Sequence, residues 1–235
     1  RHTENGIMVG YAEHSLGGSG LVESLCVIQK ESRDEVWMAV NRGGTRTAEY
    51  LYLDDIDNTE LEDAFYVDCG TTVVNSPASK TVSGLTWLEG KEVVALGDAA
   101  VLPKKTVSSG SVTYDIEVGT VQIGLGYIPG FRTLRPETPA NGTSQGKKKV
   151  INRVVLRVYR SFGGSIGTDP AHLTEILYSR YNEHKYGEGY DLFTGDQDVP
   201  LSGKVDTRGQ LYIYQEIPAP LNVLSVITRY KILEV

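Results

Sequence analysis

The segment Gly163–Gly167 (GGSIG) has the spacing of a nucleophile elbow, in which a serine lies between two glycines. Asp169 and His172 follow Ser165 in the order that α/β-hydrolases use for a catalytic triad. An elbow needs a strand before it and a long helix after it, and its partners come from distant loops. Here the three side chains fall within eight residues, and the strand-like run LTEILYS follows. The sequence therefore predicts a glycine-rich turn at Ser165 and no catalytic nucleophile.

Two further sets of side chains are candidates for chemistry. Asp196 and Asp198 in TGDQDVP form a carboxylate pair, and such pairs can act as general acid and base. On a turn this spacing is typical of two solvated side chains, which is our prediction here. The four histidines are scattered, with no two at metal-ligand spacing: His2, His14, His172 and His184. We expect no catalytic site, no metal site and no cofactor.

The acidic stretch Leu53–Phe65 (LDDIDNTELEDAF) resembles part of a calcium-binding loop. Asp55 and Asp57 have the alternate spacing that such a loop requires. The stretch lacks the glycine of the sharp turn and the glutamate at the last ligand position. A solvated loop that separates two regions is the better prediction.

Charge and cysteine content limit the partners of the chain. The net charge of -7 argues against a general basic surface for nucleic acid, which binds by neutralising phosphates. The run Lys147, Lys148 and Lys149 is interpreted as a solvated loop or a contact with an acidic neighbouring subunit. Cys26 and Cys69 match no metal-ligand spacing, so buried, reduced thiols are predicted. No apolar run reaches the roughly 18 residues of a membrane span, so membrane insertion is not expected.

The elements that must position these residues are strands. The 235 residues include 26 Gly and are rich in Val, Thr and Tyr, which favours sheets and turns and predicts an all-β, mainly antiparallel fold. The segment Asp34–Leu53 (DEVWMAVNRGGTRTAEYLYL) reads as a hairpin that turns at Gly43–Gly44. Strand alternation predicts two faces, Val36, Met38 and Val40 on one and Trp37, Ala39 and Asn41 on the other. With the preceding run Leu21–Gln29 the hairpin forms a meander, which is too small to be stable alone.

Three regions are predicted along the chain: 1–64, 65–134 and 135–235. The first is a β-meander with its flanking residues. The second has five strand-sized runs at close spacing, the pattern of a small closed β-barrel: AFYVDCG, TVSGLTWL, KEVVALGD, SVTYDI and TVQIGLGYI. The third is a C-terminal β domain that begins with a long loop rich in Pro, Gly and charge.

Two segments of the third region allow more specific predictions. Val150–Ser161 (VINRVVLRVYRS) fits a helix or a strand, and its β-branched content favours a strand. The end of the chain reads as two strands around PAP, because proline marks the turn. The last strand is apolar from Val223 to Ile227, which predicts that both faces are covered. Tyr212 and Tyr214 share a face and suit either a contact surface or the rim of an isolated domain.

The chain begins at Arg1 without an initiator methionine and enters strand-like sequence at once. We expect a fragment or a processed product whose first sheet lacks some of its neighbours.

Several motifs, in order along almost the whole chain, resemble the C-terminal portion of one family. They are VESLCVI, DEVWMAVNR, VSGLTWLEGKEVVAL, GTSQGKKKVINRVVLRVYRSFGG and QEIPAPLNVLSVI. The family comprises the tail nozzle, or tail tubular protein B-like, virion proteins of short-tailed phages and prophages. The resemblance implies a partial propeller-like or sandwich body with a small inserted β-barrel over 65–134. That barrel is similar in fold to the first catalytic cysteine half-domain of ubiquitin-activating enzymes, which assigns no activity to Cys69.

The resemblance also implies a function. It indicates a non-enzymatic virion protein that forms a ring, expected to be a hexamer, through which DNA leaves the particle. Expected partners are copies of itself, the adaptor or tail-tube proteins and the tail fibres, with phage DNA passing without specific contacts. The expected location is the virion tail, and the host cytoplasm during assembly.

Specific residues are assigned to these roles as predictions. Subunit contacts are predicted at Trp37, Lys147, Lys148, Lys149, Tyr212 and Tyr214. An acidic lumen that repels DNA is predicted at Asp54, Asp55 and Asp57. Two alternatives are a tail-associated binding module, which docks fibres or recognises a surface glycan, and an envelope hydrolase using Ser165 or the Asp196/Asp198 pair.

Overall fold

The computed structural model describes residues 2–3, 6–7, 12–30, 33–52, 55–137, 143–178 and 191–233. Over these residues the chain is all-β and mostly antiparallel, with 62% strand and no α-helix, which confirms the predicted fold class. It divides into two compact units, Arg1–Leu51 and Tyr52–Val235. The three-region division at 64/65 and 134/135 stays a prediction.

The first unit contains two small antiparallel sheets. His2–Thr3 (β1) pairs with Gly6–Ile7 (β2). The larger sheet has the order β3–β4–β5, formed by Leu21–Lys30, Arg33–Arg42 and Thr45–Tyr50. The hairpin turn lies at Gly43 and Gly44, whose φ angles of 66° and 99° are in the left-handed region. The predicted meander and its glycine turn are therefore confirmed.

The second unit begins with a 3₁₀ turn at Leu61–Asp63 and a four-stranded antiparallel sheet of order β6–β9–β7–β8. These strands are Asp68–Ser83 (β6), Glu92–Gly97 (β7), Ala100–Thr106 (β8) and Ser111–Leu125 (β9). The runs SVTYDI and TVQIGLGYI, read as two strands from sequence, are one strand. The reason is a contact from another hairpin: the carboxylate of Asp98, which lies between β7 and β8, accepts the N–H groups of Gly119 and Thr120 at 2.8 Å. The backbone of β9 is thereby satisfied where a turn was expected.

This sheet packs on an apolar core. Its most buried members lie on β6, β7 and β9, at the 3₁₀ turn Thr86–Leu88 and beside these elements: Val82, Leu85, Leu88, Val93, Ala95, Val107, Val121 and Ile123. Strand β8 contributes Leu102 at 5% exposure. Tyr114 is packed in the same core at 2% exposure. Its hydroxyl has no hydrogen-bonding partner among the described residues.

The rest of the second unit holds two more four-stranded sets. Their strands are Gly130–Arg132 (β10), Lys148–Ser161 (β11), Ser165–Asp169 (β12), His172–Glu175 (β13), Phe193–Pro200 (β14), Val205–Asp206 (β15), Tyr212–Tyr214 (β16) and Asn222–Leu233 (β17). One set has the order β10–β16–β12–β13, and in the other β11 pairs with β14, β15 and β17. The strand predicted at Val150–Ser161 is confirmed.

The sets pack together through one face of β11, where Ile151, Val154 and Leu156 are at most 1% exposed. The prediction that both faces of the final strand are covered is wrong. Leu224 is 64% and Ile227 is 46% exposed, so β17 is not covered on both faces. It pairs along β11 with a break in register at Leu224, which lies between Ser225 opposite Arg157 and Val223 opposite Val158, so strict two-residue alternation does not hold here.

Replacing Tyr114 by Phe tests the packing of the β6–β9 core. We expect Tyr114→Phe to keep or raise the free energy of unfolding at neutral pH, by up to about 1 kcal/mol, because a buried hydroxyl without a partner is removed. Burial raises the pKa of Tyr114 to about 12. The unfolded tyrosine ionises near pH 10, so the wild-type chain loses stability between about pH 10 and 12, and the Phe variant lacks that loss.

Urea unfolding of both proteins at neutral pH and at about pH 11 measures the difference. A Phe variant that is less stable at neutral pH by more than about 1 kcal/mol would mean that the hydroxyl makes a stabilising hydrogen bond.

Candidate interaction surfaces

Strand β3 is exposed along its whole length. All ten of its residues are exposed, including Leu21 at 70%, Leu25 at 67% and Val27 at 60%. It has high β-propensity and pairs on one side with β4, which fixes it as a strand. A long, apolar edge strand without proline is a site where another chain pairs.

Trp37, a predicted contact residue, lies on β4 beside this edge. Its ring is 5.2 Å from the Tyr50 ring, and its Nε1 donates to the Glu35 carboxylate at 3.1 Å. The register places Cys26, Trp37 and Tyr50 side by side across the three strands. Trp37 therefore belongs to an aromatic row that runs to both edges of the sheet.

The lysine run is divided between surface and interior. Lys147 and Lys148 are exposed, whereas Lys149 is 1% exposed. The Lys149 amine donates to the carbonyls of Ser144, Lys147 and Thr207. Lys149 thus joins two loops within the chain, and only Lys147 and Lys148 present charge to a neighbour.

Tyr212 and Tyr214 lie on one face of β16, as predicted from alternation, and both are half-buried. Their rings are nearly parallel, at 11°, with centroids 6.4 Å apart, and the Arg132 guanidinium lies 5.9 Å over the Tyr212 ring. Gly130 on the adjacent strand leaves room for Tyr214, because a Cβ there would lie 2.2 Å from Cδ1 of that ring. The neighbouring strand therefore positions the tyrosine pair.

Hydrogen bonds join the acidic loop, the described residues 55–65 of the acidic stretch, to strand β11. Asp54 lies outside the described residues, and Asp55 and Asp57 are exposed. Asp57 accepts a hydrogen bond from the Tyr159 hydroxyl at 2.7 Å, which raises the pKa of that hydroxyl. Arg160 donates to the Thr59 carbonyl at 2.8 Å and holds the end of the loop. The carboxylates therefore have fixed positions on the surface.

A groove of about 690 Å³ lies in the second unit, and sequence reasoning missed it. Its walls contain only uncharged residues, among them Tyr66, Tyr127, Phe131, Tyr159, Ile213 and Leu221. Three of its apolar side chains are also open to solvent: Ile56 at 44%, Phe131 at 46% and Leu224 at 64%. The available sequence signal was the apolar content of YIPGF, which covers the loop after β9 and the start of β10.

The side-chain donors of Gln215 and Asn222 in the groove are engaged within the chain, whereas the buried Gln215 Oε1 has no partner among the described residues. Gln215 donates from Nε2 to the carbonyls of Phe162 and Ala219 at 2.8 Å, and Asn222 donates to the Arg160 carbonyl at 3.3 Å. The Tyr159 hydroxyl donates a hydrogen bond to Asp57 in the acidic loop. The groove thus offers shape and apolar surface more than free hydrogen-bonding groups.

The triad-like segment forms a different arrangement from a hydrolase site. Gly163 and Gly164, with φ angles of 71° and 101°, make the predicted glycine-rich turn into β12. Ser165 pairs in the sheet between Glu175 and Tyr214. The Asp169 carboxylate accepts from Lys204 Nζ at 2.7 Å, and this hydrogen bond lowers the pKa of Asp169.

Asp196 and Asp198 form ion pairs rather than a carboxylate dyad. On the outer face of the sheet Asp196 accepts from Arg157 and Asp198 accepts from Arg153, with Nε distances of 2.7 Å. These hydrogen bonds lower the pKa of both carboxyl groups. Both are exposed, as predicted, but they lie on strand β14 and not on the predicted turn, and the sequence did not reveal their partners on β11.

The cysteines differ in exposure. Cys69 is half-buried, but Cys26 is exposed because it lies on the edge strand β3, so the predicted burial is wrong for Cys26. Within the described ranges no three His, Cys, Asp or Glu side chains are placed to hold a metal ion. No helix in the described part of the chain is long and apolar enough to cross a membrane.

No protein-family model and no curated protein matches this chain.

Replacing Lys149 by Met tests its role between the loops. We expect Lys149→Met to lower the free energy of unfolding by about 1–3 kcal/mol, because three backbone carbonyls lose their donor. Lys148→Met is the matched control, since Lys148 is exposed and its loss should change stability by no more than about 0.5 kcal/mol. Urea unfolding of both variants measures the difference. Equal stability of the two variants would contradict a structural role for the Lys149 amine.

Proposed function

We propose that this chain is part of a structural protein of a short-tailed phage tail, of the nozzle or tail tubular protein B-like kind. Copies would form a ring, expected to be a hexamer, through which DNA leaves the particle. The role is mechanical and needs neither catalysis nor a cofactor. The resemblance of the sequence motifs suggests this function, and the exposure of strand β3 is the single observation that carries it.

Strand β3 favours assembly for energetic reasons. Fully burying one Leu or Val side chain contributes about 1.5–3 kcal/mol. Leu21, Leu25 and Val27 together thus contribute several kcal/mol when covered, while bringing two proteins together costs about 4–15 kcal/mol. One such contact is marginal alone. In a closed ring each subunit makes two contacts, so closure favours the assembly over isolated pairs.

The finer architecture belongs to the same proposal. The β3–β4–β5 sheet would be part of a propeller-like blade, and the β6–β9–β7–β8 sheet part of a small inserted barrel. Trp37 and the tyrosine pair on β16 are the aromatic contact surfaces, and Lys147 and Lys148 suit an acidic neighbour.

Electrostatics suit a conduit that DNA passes without binding. The net charge of -7 repels phosphates, and carboxylates such as Asp55 and Asp57 would keep DNA from adhering if they line the lumen. Adaptor or tail-tube proteins and fibres are the other partners. The mature protein would reside in the virion tail after assembly in the bacterial cytoplasm.

The assembly proposal is tested with the full-length protein in a phage that depends on it. We expect Leu25→Asp on β3 to prevent incorporation of the protein into particles, because a charge would be buried at the contact. Ile116→Asp is the matched control: Ile116 is 52% exposed on β9, outside the proposed surface, and this variant should assemble normally. Particle composition and images of the tail tip provide the readout. A wild-type protein that is monomeric and absent from virions would overturn the proposal.

A second candidate function is a tail-associated binding module, favoured by the aromatic groove. Aromatic walls occur in sites for sugars and for apolar protein segments. Because the walls carry no charged residue and the donors of Tyr159, Gln215 and Asn222 are engaged within the chain, an apolar segment of a fibre protein fits better than a glycan.

We expect Leu224→Asp in the groove to weaken fibre attachment at least about tenfold, as one buried apolar contact is worth 1.4 kcal/mol or more. Ile116→Asp again serves as the control, because Ile116 is exposed on the same unit and is not among the residues that line the groove. Attachment is measured by the fibre content of particles that contain each variant. Binding of the wild-type chain to purified envelope sugars, lost in Leu224→Asp, would instead support glycan recognition.

A further inference from the structure

The β3–β4–β5 sheet has two open edges within the described ranges. Strand β3 pairs only with β4, and so does β5. In an antiparallel pair, alternate residues direct their N–H and C=O groups away from the partner strand. Both edges therefore offer a row of backbone groups to a further strand.

Apolar rows reach both edges of this sheet. On one face the register gives the row Val27, Val36 and Leu51, with the Leu51 N–H donating to the Val36 carbonyl at 2.9 Å. Val27 is 60% exposed at one end of the row and Leu51 is 47% exposed at the other. A strand added at either edge would continue the row if it brought an apolar residue.

The opposite face shows the same feature. The row Cys26, Trp37 and Tyr50 ends in an exposed Cys26 and in Tyr50 at 46% exposure. Each edge thus presents apolar side chains on both faces. The apolar side chains on the β3 edge of one copy would therefore continue the rows that end at the β5 edge of another copy.

Charge does not oppose contact between these two edges. Residues 24–29 of β3 are uncharged. The two charged side chains of β5 are neutralised within the chain, since Arg46 pairs with Glu23 at 2.8 Å and Glu49 pairs with Arg42. Joining the edges would bury no unpaired charge, which would cost several kcal/mol.

We propose that strand β3 of one copy pairs along strand β5 of the next copy and continues the sheet from subunit to subunit. Such a contact uses two different surfaces of each chain, and head-to-tail contacts of this kind generate rings or filaments. The inference rests on the proposed ring and assigns its subunit contact. Because β3 and β5 both run antiparallel to β4, copies with the same strand direction pair in parallel here.

Side-chain positions supply a direct test. Cys26 and Trp37 share a face with Ala39, whose partner on β5 is Ala48. In a continued sheet the Cys26 of one copy would lie beside Ala48 or Tyr50 of the next, depending on register. Side chains on adjacent strands have Cβ atoms about 4.5–5.5 Å apart, close to the distance that a disulfide spans.

The experiment uses the whole 235-residue chain with Ala48→Cys or Tyr50→Cys, oxidised mildly and separated without reductant. We expect one variant to form a covalent ladder of dimers, trimers and larger species. Its rate should exceed that of Thr47→Cys, on the opposite face, at least about tenfold, because pairing raises the effective concentration of the thiols. Adding Cys26→Ser should abolish the ladder.

The outcomes separate this inference from the proposed function. If light scattering shows an oligomer but neither variant forms a ladder, the pairing is overturned and the ring stands, with another segment on the edge. If oxidation stops at dimers that need Cys26 alone, two β3 strands face each other and the head-to-tail arrangement is overturned. A chain that stays monomeric and forms no ladder overturns the pairing, whereas the ring itself is tested by the incorporation of the full-length protein into particles.

Discussion

The outer edge of a β-sheet leaves alternate backbone N–H and C=O groups without a partner, and strand β3 combines this condition with apolar side chains. Val40 is the only apolar side chain that is buried among the described residues up to Leu51. A three-stranded sheet with so little buried surface is marginal in water. Its surroundings must therefore supply what the chain does not, and this requirement is the reason to assign the chain an assembly role.

In the second unit the chain itself supplies the neighbouring strands and the apolar surface that cover a strand. Strand β11 has neighbours on both sides and buries one face against the β10–β16–β12–β13 sheet, where Ile166, Leu211 and Ile213 are at most 1% exposed. The polar side chains of the second unit mainly hold neighbouring segments of the chain in place. The Arg153–Asp198 and Arg157–Asp196 pairs are exposed to solvent, which screens their attraction, whereas the buried Lys149 amine satisfies three carbonyls. Side chains that resemble catalytic groups in sequence thus have structural partners, which suits a mechanical part.

Local patterns predicted the strands well because a two-residue alternation and a glycine turn act over short distances. The hairpin through Gly43–Gly44 and the strand at Val150–Ser161 are examples. Features that depend on which strands meet were not predictable. The break expected near Gly119 is absent because Asp98 comes from another hairpin, and Lys149 is buried because distant loops supply its carbonyls. The groove likewise forms only when β10, β16 and β17 come together, so no contiguous motif marks it.

Hydrogen exchange of the amides in Leu21–Lys30, measured over a range of protein concentrations, shows whether association of copies covers the outer edge of β3. In an isolated chain the amides of β3 that point away from β4 exchange freely, while those bonded to β4 are protected. We expect the β3 amides that point away from β4 to become protected as the protein concentration rises and copies associate. Free exchange of these amides in the assembled oligomer, or their protection at a dilution where only single chains exist, would contradict this expectation.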